Sequence, residues 1–270
     1  NVPKGFIFKL SEVKSVKEYI DLIGFPLVIK PFAGSRGKDV FTNINSIEEY
    51  KKVIDYFKKK KSPDYKLIIE EYIDGIDFRV FVVGDKVAAV SKRLPANVIG
   101  DGISTIEQLI KKKNEKRKKI KPYLSKRLIK IDEELLIHLN SNNLSLDSIP
   151  KKDQQIFLRT VNNISLGGES IDYTDKASID LKQISIEAVK AIPGLNHGGV
   201  DLRWDNKKDK YFIIEINTTP ILGMHFYPFE GLERNVEKDV IDYYFPNTQN
   251  IQHSNKIFFD FNVVKQLIGS

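Results

Sequence analysis

Short apolar runs with β-strand character alternate along this chain with stretches of helical periodicity. The plainest signal is a hairpin, in which two runs of β-branched and aromatic residues flank the turn dipeptide Gly84-Asp85. Apolar runs predict strands at residues 27–30, 67–72, 78–83, 86–93, 199–204 and 211–216. Helical spacing predicts helices at residues 46–60, 105–119, 132–140, 179–192 and 236–244. Because no internal repeat or low-complexity linker divides the chain, its 270 residues permit one large domain or two smaller lobes.

Local signals define several helix ends. Ser46 is followed three residues later by Glu49, which is the spacing of a capping box at a helix N-terminus. The dipeptide Pro193-Gly194 ends the fourth predicted helix, and Pro246 stops the fifth. No clear role is predicted for the residues that follow Pro246.

The composition is that of a folded chain without membrane-spanning segments. Hydrophobic residues make up 41% and charged residues 29%, which suits a buried core and an ordinary charged surface. No run of eighteen apolar residues occurs, so no transmembrane helix is predicted. The absence of cysteine excludes disulfides, zinc–thiolate sites and cysteine nucleophiles, and it fits a cytoplasmic location. The chain starts at Asn1 without an initiator Met or an apolar signal region, which indicates a trimmed start or an excised domain.

A net charge of +7 raises the question of nucleic-acid binding. The excess of positive charge is concentrated in two runs, Lys58 to Lys61 and Lys111 to Lys121. Aromatic residues do not interleave these runs, as a base-stacking platform would require. We therefore interpret the runs as a solvated helix end and a solvated loop. A basic nucleic-acid binder remains a functional hypothesis, ranked below the two that follow from the motifs described next.

Oxygen ligands cluster on the last two predicted strands. Asp201 lies within the first of these strands, and Glu215 and Asn217 lie at the end of the second. Adjacent strands would bring the three oxygen donors to one face, and such donors suit Mg²⁺ bound together with nucleotide phosphates. Alternatively, Asp201 caps a turn and Glu215 pairs with a lysine.

A glycine-containing segment directly follows the first predicted strand. It consists of Lys30, Pro31, Phe32, Ala33, Gly34, Ser35, Arg36, Gly37 and Lys38. Two glycines let a backbone approach phosphate oxygens, and the three basic side chains add positive charge. The segment is not a P-loop, because no Gly-Lys-Ser/Thr opens a helix. The alternative interpretation is a surface hairpin with a flexible tip.

Two further segments carry polar groups in turns of small residues. Residues 70–77 place two glutamates at a strand end, followed by a glycine and an aspartate. Such a segment offers backbone groups for a base and a carboxylate for ribose hydroxyls, although alone it is also typical of an acidic turn. Residues 159–168 combine an arginine with polar donors and two adjacent glycines.

The order of these blocks resembles the ATP-grasp superfamily over roughly residues 2–246. More narrowly, the chain is similar to the ATP-grasp domains of cyanophycin synthetases and bifunctional glutathione synthetases. The markers are residues 77–86, 93–102, 105–106, 163–168, 171–175 and 224–231. Residues 215–220 also resemble D-alanine–D-alanine ligases. The resemblance implies an α+β fold of the ATP-grasp type, in which two α+β lobes grip the nucleotide between antiparallel sheets.

The same resemblance implies a division of the chain. Residues 1–77 would form the small lobe, or lid, with an N-terminal stub. Residues 78–246 would form the large lobe with the metal site, and residues 247–270 would be a C-terminal tail.

The resemblance also implies a role for each candidate residue. The phosphates of ATP would be contacted by Lys30, Gly34, Ser35, Arg36, Gly37 and Lys38. The adenine would be lined by Glu70, Glu71 and Ile73, and the ribose would be bound by Asp77. Two Mg²⁺ ions would be held by Asp201, Glu215 and Asn217. Lys92 or Arg93 would reach phosphate or acyl phosphate, while Arg159, Asn163 and the amides near Gly167-Gly168 would stabilise charge on the phosphoryl group and the tetrahedral intermediate.

The implied activity is an ATP-dependent carboxylate–amine ligation that forms an amide bond through an acyl phosphate, with an amino acid or a peptide as substrate. This chemistry needs no protein nucleophile. The alternative is an ATP- and Mg²⁺-binding module of a larger synthetase, carbamoyl-phosphate-synthase-like or similar, that is not active alone. His225 is either a base for the incoming ammonium or a packing residue.

The chain departs from the family pattern at its ends. Most ATP-grasp ligases carry an N-terminal domain that supplies part of the substrate site, and here only a stub precedes the first lobe. We therefore expect a missing N-terminal substrate domain or a parent polypeptide as partner. No membrane partner is expected, nucleic acid is disfavoured, and a homo-oligomer is left open.

Overall fold

The computed structural model of the chain describes residues 1–13, 15–34, 39–120 and 123–250. The chain divides into two compact units. The first unit combines Asn1–Asp77 with Asp201–Glu215, and the second combines Phe78–Val200 with Ile216–Ser270. Each unit has a hydrophobic core of its own.

The first unit is built on a sheet with one buried face. Its elements are β1 (Gly5–Lys9), α1 (Val16–Ile23), β2 (Leu27–Pro31), β3 (Phe41–Ile44), α2 (Ile47–Lys60) and β4 (Lys66–Glu71). The strands pair in an antiparallel manner in the order β1-β4-β2-β3. Alternate apolar residues of the sheet, which pack with both helices, are Phe8, Leu27, Ile29, Leu67 and Ile69. The opposite face of β2 and β4 is half-buried and carries Lys30 and Glu70.

The N-terminus of α2 follows the predicted capping signal in part. The Ser46 hydroxyl accepts a hydrogen bond from the Glu49 N–H at 3.2 Å, as a helix N-cap does. The Glu49 carboxylate, however, accepts from the Asn45 N–H at 2.7 Å instead of returning to Ser46. The predicted helix start is therefore correct, whereas the reciprocal half of the capping box is shifted by one residue.

The remaining strands are β5 (Ile76–Val83), β6 (Lys86–Leu94), β7 (Asn97–Ile99), β8 (Gln155–Phe157), β9 (Glu169–Asp172), β10 (His197–Asp205) and β11 (Lys210–Asn217). The remaining α-helices are α3 (Ile106–Lys119), α4 (Glu133–Ser141), α5 (Ile179–Lys190), α6 (Gly223–Phe226) and α7 (Val236–Tyr244). Five strands form one sheet in the order β11-β10-β5-β6-β9, and β7 and β8 form a two-stranded sheet. The pairs β6–β9 and β7–β8 are antiparallel.

The predicted hairpin joins β5 to β6 through Gly84. This residue has a φ of +57°, which L-residues with a side chain rarely adopt. A Cβ atom at this position would lie 2.4 Å from the ring of Tyr243. Glycine is therefore required here both by the backbone and by the space available.

Two apolar clusters support the elements of the second unit. One joins β7 and β8 to α3 and α4, and its buried members are Ala96, Val98, Ile106, Leu109, Ile110, Ile129, Leu135, Leu139, Ile156 and Leu158. Another joins β5 and β6 to α6 and α7 through Phe81, Ala89, Phe226 and Val236. No helix in the described ranges is long and apolar enough to cross a membrane.

The α+β architecture with antiparallel sheets is confirmed, and every predicted strand and helix overlaps an element of the structure. The elements without a prediction are β1, β3, β7, β8, β9, α1 and α6. The missed strands have three to five residues, too few for the strand period of two to stand out.

Candidate functional site

A lysine–glutamate pair occupies the half-buried face of the four-stranded sheet. In the β2–β4 register Val28 lies opposite Glu70, so Lys30, two residues further along β2, is the diagonal neighbour of Glu70 on the same face. The Lys30 ammonium is 2.7 Å from a Glu70 carboxylate oxygen. Within the described ranges Glu70 is the one ion-pair partner of Lys30. Since an ammonium has three N–H donors, Lys30 keeps donors for an anionic ligand.

Gly5 makes room for this pair and was not predicted as a site residue. It lies opposite Glu70 in the β1–β4 register. A Cβ atom on Gly5 would stand 2.9 Å from Cγ of Glu70, closer than real Cβ contacts come. Glycine at this position therefore leaves the Glu70 side chain free to turn toward Lys30.

The predicted phosphate-binding segment is described only at its start. Gly34 is exposed, and a Cβ on it would meet Pro31 at an ordinary distance of 3.5 Å. Ser35, Arg36, Gly37 and Lys38 lie outside the described residues. Their role in phosphate binding stays a prediction.

The acidic segment after β4 is held by contacts within the first unit. The Glu71 N–H donates to the Lys4 carbonyl at 3.0 Å, and the Glu71 carboxylate accepts from the Lys4 N–H at 2.9 Å. The Ile73 carbonyl accepts from an Arg203 guanidinium nitrogen at 2.8 Å. The Glu71 N–H and the Ile73 carbonyl, backbone groups of the kind predicted to line adenine, thus already have protein partners.

Arg203 organises this segment and was missed by the sequence reading. Its Nε is 3.7 Å from the Asp77 carboxylate, and its guanidinium lies 5.1 Å from the centre of the Tyr72 ring. Because side chains alternate along a strand, Arg203 shares a face of β10 with Asp201. That alternation was a signal in the sequence that could have placed Arg203 beside the predicted ligands.

The predicted metal ligands differ in their surroundings. Asp201 is buried, and Glu215 is exposed. The Asn217 side-chain oxygen accepts one hydrogen bond, from the Thr219 N–H at 3.0 Å. No group of three or more His, Cys, Asp or Glu side chains in the described part of the chain is arranged to hold a metal ion. The predicted set combines two carboxylates with an amide, and it stays a prediction.

Lys92 and Arg93 lie on opposite faces of strand β6. In the β6–β9 pairing Lys92 lies opposite Ile171, and Arg93 lies opposite Ser170. Successive residues of a strand point to opposite faces, so the two basic side chains cannot serve the same ligand through the same face. Arg93 shares its face with Ser91, whose residue partner across the strands is Asp172.

His225 is buried beside the cations of this face. Its ring centre is 6.2 Å from that of Phe81. Burial, together with the charges of Arg79 and Arg93 and against that of Asp172, lowers the pKa of His225 to about 3. The imidazole is therefore neutral near pH 7, and its burial favours the packing interpretation over a base for the incoming ammonium.

Arg159 is fully buried and bound to the start of α4. One terminal guanidinium nitrogen donates to Glu134 at 2.8 Å. The other donates to Asp132 at 2.6 Å and to the Lys130 carbonyl at 3.2 Å. Nε has no hydrogen-bond partner in the described ranges. Asp132 and Glu134 fix the guanidinium and were not predicted.

The loop after Arg159 uses its amides internally. The Gly167 N–H donates to the Ile164 carbonyl at 3.1 Å, and the Gly168 N–H donates to the Asn163 carbonyl at 3.0 Å. These amides are therefore committed within the loop, contrary to the expectation that they stabilise a transition state. The Asn163 side-chain oxygen accepts from the Ser165 N–H at 2.9 Å, and this contact does not use the Asn163 NH₂ group, which is a hydrogen-bond donor.

Helix α3 contradicts the interpretation of residues 111–121 as a uniformly solvated loop. Its residues 106–119 are helical, Arg117 is fully buried, and the Lys113 side chain is largely buried. Lys113 pairs with Glu169 and donates to the carbonyl and the side-chain oxygen of Asn97 at 2.7 and 3.0 Å. The physical reason is helical periodicity, since residues 113 and 117 continue the buried face of α3.

Comparison with known proteins places these features in a family. Residues 3–121 match the family model of the RimK-like ATP-grasp domain. The chain is 37% identical over 225 residues to the glutathione biosynthesis bifunctional protein of Listeria innocua. This match covers 81% of this chain and 29% of the Listeria protein. The chain is also 35% identical over 254 residues to the cyanophycin synthetase of Crocosphaera subtropica. That match covers 91% of this chain and 28% of the synthetase.

A solved structure gives the same result. The bifunctional glutathione synthetase from Pasteurella multocida matches with a TM-score of 0.63 and 31% identity, over 92% of this chain and 34% of that chain. The chain thus spans less than a third of the length of the two curated relatives. The resemblance stated from the sequence and the fold that it implied are confirmed by these matches.

Proposed function

The chain contains a RimK-like ATP-grasp domain, and from that premise we propose that it forms the ATP-binding core of a carboxylate–amine ligase. In the proposed ADP-forming reaction, a substrate carboxylate is converted to an acyl phosphate, and an amine then displaces the phosphate to form an amide. Its ATP-grasp relatives are ATP-dependent amide-bond ligases, which supports an amino acid or a peptide as the substrate.

The Lys30–Glu70 pair is the observation that carries this proposal. Glu70 orients the ammonium through one contact of 2.7 Å, so at least one N–H donor of Lys30 can bind a phosphate oxygen while the pair persists. Charge-assisted hydrogen bonds of this kind are stronger than neutral ones. Because both side chains are half-buried, water and salt ions screen the charges of the pair less than they would at a fully exposed site.

Residues 70–77 are assigned to the base and the ribose of ATP. Glu70, Glu71 and Ile73 would line the adenine, and Asp77 would bind the ribose hydroxyls. Arg203 holds both ends of this segment in place, because its guanidinium contacts the Ile73 carbonyl and the Asp77 carboxylate, and the base would have to use other backbone groups of residues 71 and 73. A rigid guanidinium with several donors can fix two acceptors at once.

ATP-grasp proteins use ATP and Mg²⁺. When bound, the metal neutralises phosphate charge, and the nucleotide supplies the transferred phosphoryl group. We assign two Mg²⁺ ions to Asp201, Glu215 and Asn217, because carboxylate and amide oxygens are the ligands that hard cations prefer. The exposed carboxylate of Glu215 fits this assignment, since it is reachable by a hydrated ion.

The second unit supplies groups for the developing negative charge. The Asn163 NH₂ group is a neutral donor, and the cation would be Lys92 or Arg93, which lie on opposite faces of β6. Arg159 acts from its buried position, with Asp132 and Glu134 holding the guanidinium in one orientation. Preorganised donors of this kind stabilise a transition state without reorganising as the charge forms.

A second polypeptide segment is proposed to complete the substrate site, because the chain spans only 29% of the glutathione biosynthesis relative. Residues 1–77 as lid and 78–246 as large lobe belong to the same proposal. We also propose a cytoplasmic location, because ATP and amino acids are available there to such a ligase.

An ADP-release screen tests the proposed function. Pairs of amino acids and dipeptides are supplied with ATP and Mg²⁺, first to this chain and then to any longer polypeptide that contains it. We expect ADP formation that requires both an acid and an amine. ADP from the longer polypeptide alone supports the inactive-module alternative, which the 29% coverage favours. No ADP from either polypeptide with any pair contradicts the ligase assignment.

A further inference from the structure

A buried guanidinium lies against the loop that carries Asn163. Arg117 is fully buried in α3, and its Nε donates to the Arg127 carbonyl at 2.7 Å. One terminal nitrogen donates to the Gly168 carbonyl at 3.1 Å, and the other is 3.5 Å from the Ile164 carbonyl. Each of the three guanidinium nitrogens therefore meets a backbone carbonyl, and two of these carbonyls belong to the Asn163 loop.

Arg117 forms no ion pair with a described residue. No carboxylate is within ion-pair distance of Arg117 in the described part of the chain, and the nearby Glu169 is bound to Lys113. Burial, partly offset by the charge of Glu169, lowers the pKa of Arg117 to about 10. A guanidinium with that pKa is still charged near neutral pH, so a costly buried cation is retained here for its geometry.

The loop itself has little freedom apart from this contact. Gly167 has a φ of +93°, and a Cβ atom on it would lie 2.6 Å from Ile129. The amides of residues 165 to 168 all bond within the loop. Asn163 thus belongs to a turn whose Ile164 and Gly168 carbonyls face the guanidinium of Arg117.

We propose that Arg117 is a positioning residue, which holds the loop of residues 163–168 so that the Asn163 carboxamide meets the reacting phosphoryl or acyl group. The inference rests on the proposed ligase function. It adds a residue that acts through Asn163 and does not touch the substrate. A lysine cannot replace it, because an ammonium is a point charge and cannot reach three carbonyls in a planar fork.

Hydrogen exchange tests the contact without any substrate. In Arg117→Lys, the amides of residues 166–168 should exchange about tenfold faster than in the wild type, because their local opening becomes easier. Lys118→Met is the matched control, since Lys118 is exposed and its ion-pair partner in the described part of the chain is Glu115, one turn away on the same helix. Unchanged exchange of these amides in Arg117→Lys overturns the proposal, and a folded Arg117→Lys is verified by its exchange pattern in β6 and β9.

A double-mutant cycle tests the consequence for the reaction. Arg117→Lys should lower kcat for ADP formation about 10- to 100-fold, with KM for ATP within about twofold of the wild type. In the Asn163→Ala background the same substitution should change kcat by less than about twofold, because the residue through which it acts is gone. An equal loss in both backgrounds overturns the positioning role.

The two claims fail in different ways. Absence of ADP from the wild type, both as this chain and within a longer polypeptide, counts against the ligase function and with it against any effect of Arg117 on catalysis. The exchange comparison does not depend on ADP and decides separately whether Arg117 holds the loop.

Discussion

Two lysine–glutamate pairs, one in each unit, differ in how many donors of the lysine are already used. Lys30 and Glu70 retain side-chain exposures of 21% and 16%, and among the described residues the ammonium of Lys30 has one ion-pair partner. Lys113 and Glu169 retain 13% and 6%, and the ammonium of Lys113 meets three oxygens. The difference in exposure is modest, whereas the difference in hydrogen bonding is large.

That difference separates a binding group from a structural one. All three N–H donors of Lys113 are occupied by Glu169 and by two oxygens of Asn97, so no donor is left for a ligand. Burial lowers the pKa of Lys113, and Glu169 opposes that shift. Lys30 has spare donors on a half-buried sheet face, which is the condition that binding of a phosphate requires.

The largest expected effect comes from Lys113→Met. The substitution leaves the carboxylate of Glu169 buried without its cation, and we expect the free energy of unfolding to fall by about 3–5 kcal/mol. Urea unfolding followed by circular dichroism measures the change. Adding Glu169→Gln should recover more than half of the loss, because the buried charge is then removed.

Lys112→Met provides the matched control on the same helix. Lys112 is exposed and pairs with the exposed Asp101 at 3.0 Å. We expect a change of less than about 1 kcal/mol, as for surface pairs in general. A Lys113→Met variant as stable as Lys112→Met would show that the buried pair has no structural role.

Lys30→Met should act on binding and leave the fold nearly unchanged. Loss of charge-assisted contacts to phosphate should raise the Kd for ATP about 10- to 100-fold. The free energy of unfolding should fall by less than in Lys113→Met, because the Glu70 carboxylate that is left without its cation is more exposed to water than that of Glu169. Lys9→Met is the control, because Lys9 pairs with Asp64 in the same unit and is more exposed. Equal ATP affinities of the two variants would contradict the assignment of Lys30.

A pH titration extends the comparison to His225, a buried group without a paired carboxylate of its own. Its folded-state pKa is about 3, against about 6.5 when unfolded. Between these values the unfolded chain binds a proton that the folded chain does not, so stability falls as the pH falls through that window. At pH 5 the expected loss is about 2 kcal/mol relative to pH 8.

The variant His225→Asn isolates this contribution. We expect the drop in unfolding free energy between pH 8 and pH 5 to be smaller in the variant by about 2 kcal/mol. Identical pH dependence in the two proteins would mean that His225 titrates normally in the folded state.

Gly5→Ala gives the smallest expected effect and probes the geometry of the first pair. The added Cβ would press on Cγ of Glu70 and turn its carboxylate away from Lys30. We expect a two- to threefold change in the Kd for ATP, equivalent to about 0.5 kcal/mol. A calorimetric titration resolves such a change, and an Ile7→Ala variant on the same strand serves as the control.

Structural features that depend on a few adjacent residues could be predicted from the sequence. The hairpin at Gly84-Asp85 and the cap at Ser46 depend on a few adjacent residues, and both are present. Lys30 was predicted as a phosphate contact, but its partnership with Glu70 depends on the register of two strands far apart in the chain.

The misses concern charged residues whose burial is set by packing. Lys113 and Arg117 were interpreted as solvated because they lie in a basic run, although they continue the spacing of Ile106 and Ile110 on α3. Arg203 was missed because its contacts with Ile73 and Asp77 join segments more than a hundred residues apart. Charge outweighed periodicity in the first case, and in the second the alternation along β10 indicates only that Arg203 lies near Asp201, not that it contacts Ile73 and Asp77.

Calorimetric titration of ATP with Mg²⁺, and again with EDTA, tests the central claim most directly when the wild type is compared with the double variant Glu215→Ala/Asn217→Ala. The account predicts that ATP binds the wild type much more tightly with Mg²⁺ than with EDTA, and that the double variant loses this difference. Unchanged Mg²⁺-dependent affinity in the double variant would contradict the metal assignment, and no binding of ATP by the wild type would contradict the account as a whole.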